Sequence, residues 1–294
     1  MDKKNWLWIS IFVVCAFGIS FVLSKTAKRI TGERDIYLSP CPIRIVSIDY
    51  YSTEILCDLG VVDKIVAIGK LKKESPYYQI LKSKPPVGGD MTNVNLELLL
   101  GFKPDLVFCW KGQSDILKER GLNIFPVGTY DVEGIMKLVK DIGAIVGKEK
   151  EAKKIVSNMQ TRINVVAEFI LQKLKKIKSR PLVYFEAHSL GKSRSSGSLT
   201  HDLITRAGGI NIAGSEPVAF PLLSQEFIIT KNPDVIIVED YGATPEEIKK
   251  RDGWKNIKAV KNNRIFVSPG YFTGYTPRCL DGLEQYAKWF YPEQ

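Results

Sequence analysis

Two segments of this chain repeat one pattern, and the repeat constrains the fold more than any other feature of the sequence. Residues 96–108 read LELLLGFKPDLVF, and residues 225–237, which lie 129 positions later, read QEFIITKNPDVII. In each copy a glutamate lies seven residues before a Pro-Asp pair, and an apolar run follows. Proline ends a short helix, and such a run is typical of a buried strand. The repeat predicts two similar α/β lobes, each with one acidic residue, Glu97 or Glu226, at an equivalent place.

Strands and helices are predicted to alternate along most of the chain. Before the longest helical segment, the predicted strands are residues 43–48, 64–68, 106–109 and 124–127, with helices at 52–59 (capped by Ser52), 115–120 and 132–146. After it, the predicted strands are 182–185, 235–239 and 264–267, with helices at 199–207, 245–251 and 277–289. Such alternation is typical of parallel sheets covered by helices on both faces. The predicted fold class is α/β, with two similar Rossmann-like lobes of mostly parallel strands and a ligand cleft between them.

One long helix is predicted between the lobes, because residues 149–178 contain neither glycine nor proline. Apolar residues recur there at spacings of three and four, which is typical of an amphipathic helix; they are Ala152, Ile155, Met159, Ile163, Val166, Ile170, Leu174 and Ile177. Such a helix measures roughly 45 Å, more than one lobe needs. We expect a rigid connector, and a coiled-coil seam is the competing interpretation. The predicted organisation is a signal or anchor segment with a tether (1–36), an N-terminal lobe (37–147), a connecting helix (148–179) and a C-terminal lobe (180–294).

The net charge of +10 is concentrated in two stretches of the chain. Residues 1–29 carry a balance of +4 and residues 148–180 carry +7, so the two lobes are close to neutral. A nucleic-acid-binding protein needs a basic face across its binding surface. We therefore exclude nucleic acid as a partner. The excess positive charge of residues 148–180 is expected on the solvated face of the long helix, where it can attract anionic lipid.

Residues 6–23 form an uncharged stretch with basic residues on both sides. About 20 apolar residues span a bilayer, and the lysines that follow leave no clear small-residue cleavage site. The stretch predicts a retained membrane anchor, with a cleaved signal peptide and lipidation of Cys15 as the alternatives. In each case we expect the rest of the chain outside the cytoplasm, at the cell surface or in the periplasm.

No catalytic motif stands out in the sequence. The five cysteines have no regular spacing, so we expect neither a disulfide framework nor a cysteine metal site. The only histidines, His188 and His201, lack a flanking ligand motif, which leaves a two-histidine metal site without support. GxSxG and HExxH do not occur, and Glu186 occupies the first glycine position of a phosphate-binding loop at 186–193. We predict a binding protein without catalytic residues, metal centre or cofactor.

Aromatic residues follow the predicted strands. Ligands of parallel sheets bind beyond the carboxyl ends of the strands, where an aromatic ring buries about 150–250 Å² and basic side chains meet carboxylates or phosphates. The N-terminal candidates are Tyr50, Tyr51, Asp90, Trp110, Lys111 and Tyr130. The C-terminal candidates are His188, Arg194, Tyr241, Tyr271, Phe272 and Arg278, with Arg194 in a segment (191–197) that we expect to be flexible. Packing within a lobe is the alternative role for any one of these aromatic residues.

Several segments resemble the class III periplasmic-type binding proteins, which deliver cobalamin, iron siderophores or haem to ABC transporters. The similarity covers about residues 43–291. It is carried by RIVS (44–47), STEIL (52–56), LG (59–60), VGG (87–89), NLE (95–97), KPD (103–105), WKG (110–112), FP (220–221), SQE (224–226), YF (271–272) and PR (277–278).

The resemblance implies two lobes with a ligand between them and a small hinge motion. It implies that Trp110 and Phe220 face the ligand, and that Glu97 and Glu226 dock onto arginines of the permease. Phe220 and Tyr271 stand where cobalamin-binding members carry tryptophan, and Gly270 stands where they carry an acid. The expected partners are an ABC permease with its ATPase and a small metal chelate, a corrinoid or a ferric siderophore. We expect a monomer.

Three alternatives to this function remain at the level of the sequence. The first is a binding protein for haem or an oxyanion complex. The second is a tetrapyrrole metal chelatase that uses His188 and acidic neighbours. The third is an anchored ligand sensor that acts through a partner.

Overall fold

The computed structural model describes residues 29–31, 34–36, 41–88, 93–177 and 179–292. Contacts divide the chain into two compact units: unit 1 is Met1–Gly128 with Asp141–Glu151, and unit 2 is Thr129–Lys140 with Ala152–Gln294. The predicted anchor (6–23), Cys15 and Asp90 lie outside the described residues. Within the predicted tether, strand β1 (Arg29–Thr31) pairs antiparallel with β2 (Arg34–Ile36). Among the described helices, none has both the length and the apolar character that crossing a membrane requires.

Unit 1 contains one parallel sheet with helices between its strands. Its strands are β3 (Ile45–Ser47), β4 (Ile65–Ile68), β5 (Leu106–Trp110) and β6 (Ile124–Val127), in the spatial order β4–β3–β5–β6. Its helices are α1 (Tyr50–Asp58), α2 (Tyr78–Leu81), α3 (Leu96–Gly101) and α4 (Ser114–Lys118), and α5 (Val132–Val146) passes from unit 2 back into unit 1. All three strand pairs are parallel. Apolar residues from the strands and from α3 and α4 form a buried cluster on one face of the sheet.

Unit 2 repeats this architecture after the long helix α6 (Glu149–Leu174). Its strands are β7 (Leu182–Glu186), β8 (Ile210–Asn211), β9 (Val235–Glu239) and β10 (Ile265–Ser268). Its other helices are α7 (Leu199–Arg206), α8 (Gln225–Lys231), α9 (Pro245–Lys249), α10 (Lys258–Lys261) and α11 (Cys279–Phe290). The sheet is parallel, with the order β8–β7–β9–β10. In both units the strands thus lie in the order second, first, third, fourth, which confirms the predicted α/β class with two similar parallel sheets.

The two copies of the repeated segment fold in the same way. Asn95 caps α3 and Ser224 caps α8, each accepting a hydrogen bond from the amide three residues later (3.0 Å and 3.1 Å). Each helix is followed by a residue in the left-handed region, Lys103 (φ 46°) or Asn232 (φ 48°), and then by the Pro-Asp pair. Proline disfavours helical geometry in the residue before it, which explains why both helices end here.

The aspartate of each Pro-Asp pair connects the third strand of its sheet to the first. The Asp105 carboxylate accepts hydrogen bonds from the backbone amides of Ile43 (2.7 Å) and Arg44 (3.1 Å), just before β3. The Asp234 carboxylate accepts one from Leu182, the first residue of β7 (2.8 Å). Hydrogen bonds to an ionised acceptor are stronger than those between neutral groups. The repeated aspartates are therefore structural residues at the amino edge of each sheet.

Helix α6 packs its predicted stripe on the core of unit 2. Met159, Val166 and Ile170 are buried there, and Ile155, Ile163 and Leu174 pack beside them. Arg162 adds ion pairs with Asp281 and Glu284 of α11, at 2.6 Å each. The predicted helix of residues 149–178 was too long, since α6 ends at Leu174 and Ile177 is 40% exposed.

The predicted start of the first helix was also wrong. Helix α1 begins at Tyr50, and its cap is Asp49, whose carboxylate accepts a hydrogen bond from the Ser52 amide at 2.7 Å. The pKa of Asp49 is nevertheless raised, because the cost of its burial exceeds the stabilisation from these hydrogen bonds. Helices α2 and α10 and strand β8, of two to four residues each, were not predicted, because such short elements carry no periodic signal.

Candidate functional site

The carboxyl ends of the first and third strands are neighbours in each sheet. In unit 1 these are β3 and β5, and in unit 2 they are β7 and β9. The second and fourth strands lie on opposite sides of each pair, so the direction of winding reverses there. Ligands of doubly wound sheets bind at such a reversal point, beyond the carboxyl ends of the strands. Most of the predicted site residues described by the structure follow these four strands.

Tyr50 and Tyr51 lie in the first turn of α1, directly after β3. Their rings meet edge to face with centroids 5.5 Å apart, and Lys72 Nζ lies 4.8 Å from the Tyr50 ring and 5.9 Å from the Tyr51 ring. The Tyr50 hydroxyl donates to Glu54 Oε1 at 2.6 Å, which fixes its ring. Both tyrosines are half-buried. The two rings form an aromatic surface, and the ammonium group of Lys72 lies against it.

Trp110 is the last residue of β5, the strand adjacent to β3. The Gln113 side chain accepts a hydrogen bond from the Trp110 amide at 3.3 Å, and this bond closes the short turn that follows. Trp110 is half-buried, and Lys111 is exposed. Unit 1 therefore places two aromatic groups, the tyrosine pair and Trp110, after two neighbouring strands.

Arg194 and Phe220 face each other across a short antiparallel pairing in unit 2. The Ser193 amide donates to the Pro221 carbonyl (2.9 Å) and the Ser195 amide donates to the Ala219 carbonyl (3.0 Å). The Arg194 guanidinium carbon lies 5.0 Å from the centre of the Phe220 ring, which is a cation–π distance. The prediction that residues 191–197 are flexible does not fit these contacts, because Ser193 and Ser195 are buried and hydrogen-bonded on both sides of Arg194.

Tyr271 and Arg278 form a second stack of a guanidinium on an aromatic ring. The Arg278 guanidinium carbon lies 4.0 Å from the centre of the Tyr271 ring. Phe272, also predicted to bind ligand, is only 6% exposed and packs against Tyr286 in the core of unit 2. Phe272 therefore supports Tyr271 from behind, and its prediction as a ligand-contacting residue does not fit its burial.

Tyr130 belongs to unit 2, where its ring meets Tyr275 edge to face at 5.9 Å. Burial raises the pKa of Tyr275, and the charge of Arg194 opposes that rise. Tyr130 also lines a groove of about 390 Å³ together with Thr129, Asp131, Gly197, Ser198, His201 and Asp202. The Tyr275 phenol thus lies within range of the positive charge of Arg194.

The two histidines have different side-chain neighbours. His188 Nε2 lies 3.2 Å from Lys192 Nζ, and His201 Nδ1 lies 3.2 Å from the Asn211 side-chain amide nitrogen. Burial lowers the pKa of His201, so its neutral form is favoured. Among the described residues, no group of three or more His, Cys, Asp and Glu side chains is arranged to hold a metal ion.

Comparison with known proteins decides the family. A sequence model described as "Periplasmic binding protein" matches residues 45–271, which is more than half of the chain. The chain belongs to the periplasmic binding protein family. The strand order, the carboxyl-end aromatic residues and the repeated glutamate are thus features of a periplasmic binding protein.

Two relatives and one solved structure show what this periplasmic binding protein is similar to. It is 29% identical over 275 residues to an uncharacterized ABC transporter substrate-binding lipoprotein, YvrC of Bacillus subtilis, covering 89% of this chain and 84% of that protein. It is 25% identical over 255 residues to the vitamin B12-binding protein of Salmonella typhimurium, covering 85% and 90%. A crystal structure of a possible iron-binding, periplasmic solute-binding protein from Staphylococcus epidermidis is 26% identical, with a TM-score of 0.72 over 85% of this chain and 99% of that one.

Three residues near the strand ends of this periplasmic binding protein were not among the predicted site residues: Lys72, Tyr275 and Glu239. Lys72 lies in a loop, and nothing in the sequence connects it to Tyr50. Glu239 could have been predicted from the sequence, because it is a carboxylate at the end of the otherwise apolar strand VIIVE. Glu186 ends β7 in the same way, and it binds Arg251 through both carboxylate oxygens (2.6 Å and 2.7 Å). Tyr241 follows Glu239 and is 61% exposed.

Proposed function

We propose that this chain is an extracytoplasmic solute-binding protein that captures a metal chelate, a corrinoid or a ferric siderophore, and delivers it to the permease of an ABC importer. The observation that carries the proposal is that both sheets place aromatic and basic side chains at the carboxyl ends of their first and third strands. Aromatic rings supply most of the affinity for a large, flat ligand through the area that they bury. Binding and release suffice for this role, so we propose no chemical step.

Similarity to a vitamin B12-binding protein and to a possible iron-binding protein supports a metal chelate as the ligand class. The proposed ligand-binding residues of unit 1 are Tyr50, Tyr51, Trp110 and Lys111. Those of unit 2 are Tyr130, His188, Arg194, Phe220, Tyr241, Tyr271 and Arg278. Phe272 acts behind Tyr271. We propose that the chain is organised as an N-terminal lobe (37–147), a connector (148–179) and a C-terminal lobe (180–294).

Glu97 and Glu226 are proposed as the residues that dock onto the permease. Each is the second residue of its helix, α3 or α8, and each side chain is exposed. Within the described part of the chain, neither carboxylate makes an ion pair or a side-chain hydrogen bond. The repeated structure already uses Asp105 and Asp234 for strand connections, whereas the glutamates have no such internal role. Binding to a cationic partner, such as arginines of the permease, would explain why both copies of the repeat carry an exposed glutamate.

We also propose that the N-terminal segment keeps the protein at the membrane and that the remainder acts as a monomer outside the cytoplasm. The uncharged stretch 6–23 supports attachment, as does similarity to a relative named as a lipoprotein. Both a retained anchor and a lipid on Cys15 are compatible with this role.

Titration of residues 37–294 with cyanocobalamin, ferric siderophores and haem tests the proposal. We expect saturable binding of at least one compound, with a change in tryptophan fluorescence that is lost in Trp110→Phe and kept in Trp289→Phe. Trp289 is a suitable control because its ring stacks on Phe266 at 4.8 Å, within unit 2. Trp110→Ala should weaken binding about tenfold or more, as is usual for a buried aromatic anchor. Absence of binding across the panel would contradict the proposal, and a full fluorescence response in Trp110→Phe would remove Trp110 from the site.

A further inference from the structure

Glu239 is a buried carboxylate that stability alone does not explain. It ends β9, is 3% exposed, and its Oε2 atom has no hydrogen-bond partner among the described residues. Burying an ionised carboxylate is costly unless it is paired and hydrogen-bonded. Its other oxygen, Oε1, lies 3.4 Å from Nη2 of Arg194. The partner of Glu239 is thus a residue of the carboxyl-end loops, where the proposed ligand binds.

Arg194 is held in place, yet most of its hydrogen-bonding capacity is unused. A guanidinium carries five N–H donors. Among the described residues it makes one hydrogen bond, to Glu239, and at 3.4 Å this bond is longer than the 2.7–2.9 Å that is usual for charged pairs. One face of the guanidinium lies against Phe220, and 21% of the side chain is exposed. An edge with several N–H donors therefore remains available to a ligand.

The backbone around Arg194 is rigid, so the direction of the side chain is preset. The Arg194 carbonyl accepts a hydrogen bond from the Asn211 side-chain amide at 2.7 Å, and the buried residues Ser193 and Ser195 fix the chain on either side. Phe220 lies opposite on the paired segment. A group that is oriented before binding loses less entropy when the ligand arrives, which favours affinity.

We propose that Arg194 determines ligand charge specificity, that Glu239 and Phe220 position it, and that the ligand presents an anionic pair of oxygens to it. Carboxylate, catecholate and phosphate groups match the planar edge of a guanidinium and accept two parallel hydrogen bonds. This inference rests on the proposed function and narrows it to an anionic metal chelate. A ferric catecholate or carboxylate complex fits this description, whereas a neutral ferric tris-hydroxamate does not.

Binding of anionic and neutral ferric chelates tests the inference. The anionic probes are ferric tris-catecholate, ferric citrate and haem, and the neutral probes are a ferric tris-hydroxamate and dicyanocobinamide. We expect the wild-type protein to bind one anionic probe more tightly than either neutral probe, with an affinity that falls as salt rises. Arg194→Gln should weaken that binding about tenfold or more, and Arg194→Lys should restore it only in part because lysine lacks the planar edge. Arg194→Gln is expected to lower the melting temperature, because it leaves the buried Glu239 carboxylate without its cationic partner. Arg194→Lys should lower it less, since lysine keeps the charge, and binding is therefore measured at a temperature where both variants are folded.

Lys231→Gln is the matched control. It removes one positive charge from the same unit, and Lys231 also lies over an aromatic ring, that of Phe227, at 5.2 Å. We expect its affinity for the anionic probe to be unchanged. Tight binding of a neutral probe that Arg194→Gln leaves unaffected would overturn the inference and leave the proposed function standing. If no probe of either charge binds, the proposed function fails and the inference fails with it.

The Glu239→Gln variant tests whether Glu239 orients the Arg194 side chain or only competes with the ligand for its guanidinium. If Glu239 positions Arg194, the neutral isostere should weaken binding of the anionic probe several-fold and reduce its preference over the neutral probes. If Glu239 only competes for the guanidinium, removing its charge should strengthen binding of the anionic probe. A gain in affinity would therefore overturn the positioning role of Glu239.

Discussion

Reversing the charges of Glu97 and Glu226 together is expected to reduce ligand uptake to the background of cells without the protein. Ligand affinity should stay at the wild-type value, because both side chains are exposed on short helices and neither is among the proposed ligand-binding residues. Placing an arginine opposite a cationic permease surface replaces an attraction with a repulsion, and like-charge contacts at interfaces cost several kcal/mol. Each single reversal should cause a partial loss of uptake.

The matched control reverses Glu119 and Asp252, which are also exposed and lie one in each unit. Glu119→Arg with Asp252→Arg changes the net charge by the same amount as the docking pair. We expect its uptake to match the wild type. Uptake would be measured with a radiolabelled ligand, and affinity with the purified variants. Normal uptake by the Glu97→Arg, Glu226→Arg variant would contradict the docking proposal.

Arg251→Ala is expected to destabilise unit 2 by about 3–5 kcal/mol, which is typical when one partner of a buried ion pair is removed. Glu186 is fully buried and binds Arg251 through both oxygens, and the guanidinium stacks on Trp254 at 4.7 Å. The Tyr184 hydroxyl donates to Glu186 at 2.9 Å, but a neutral hydroxyl cannot compensate the charge. Burial and the negative charge of Glu186 both raise the pKa of Tyr184.

Urea denaturation followed by circular dichroism measures this effect. The double variant Glu186→Gln, Arg251→Ala should regain part of the lost stability, because burying a neutral amide costs less than burying an unpaired carboxylate. The free energy of unfolding of unit 1 should not change. A loss below about 1 kcal/mol in Arg251→Ala would show that the pair contributes little, as exposed pairs do.

Much of the architecture was predictable because short local patterns, such as prolines that end helices and runs of apolar residues, specify it. The stop at Pro104 and Pro233 and the β-rich runs after them fixed the positions of β5 and β9, and the spacing of apolar residues fixed most of α6. Strands such as Val235–Glu239 were predicted with their exact bounds, since a buried parallel strand appears as a continuous apolar run. The match between the two copies also predicted the matching topology of the sheets.

The parts that sequence did not predict depend on contacts between distant residues. Asp105 and Asp234 were recognised as part of the repeat, but their bonds to the first strands require the sheet order. The segment 191–197 is rich in glycine and serine, which is typical of a flexible loop, yet pairing with residues 219–223 orders it. Likewise, the position of Lys72 beside Tyr50 and of Glu239 beside Arg194 follows from tertiary structure alone. The residue types at the strand ends thus predicted where the site lies, but they did not predict which side chains contact one another there.

The most direct test of the account is uptake of the ligand by cells from which this protein has been removed. The radiolabelled metal chelate that the purified protein binds most tightly would be supplied at a concentration near its dissociation constant. We predict that accumulation falls to background without the protein, returns when the wild-type chain is restored, and requires an intact ABC importer. Accumulation that is unchanged by removal of the protein, for every chelate that it binds, would contradict the conclusion that it delivers such a ligand to an importer.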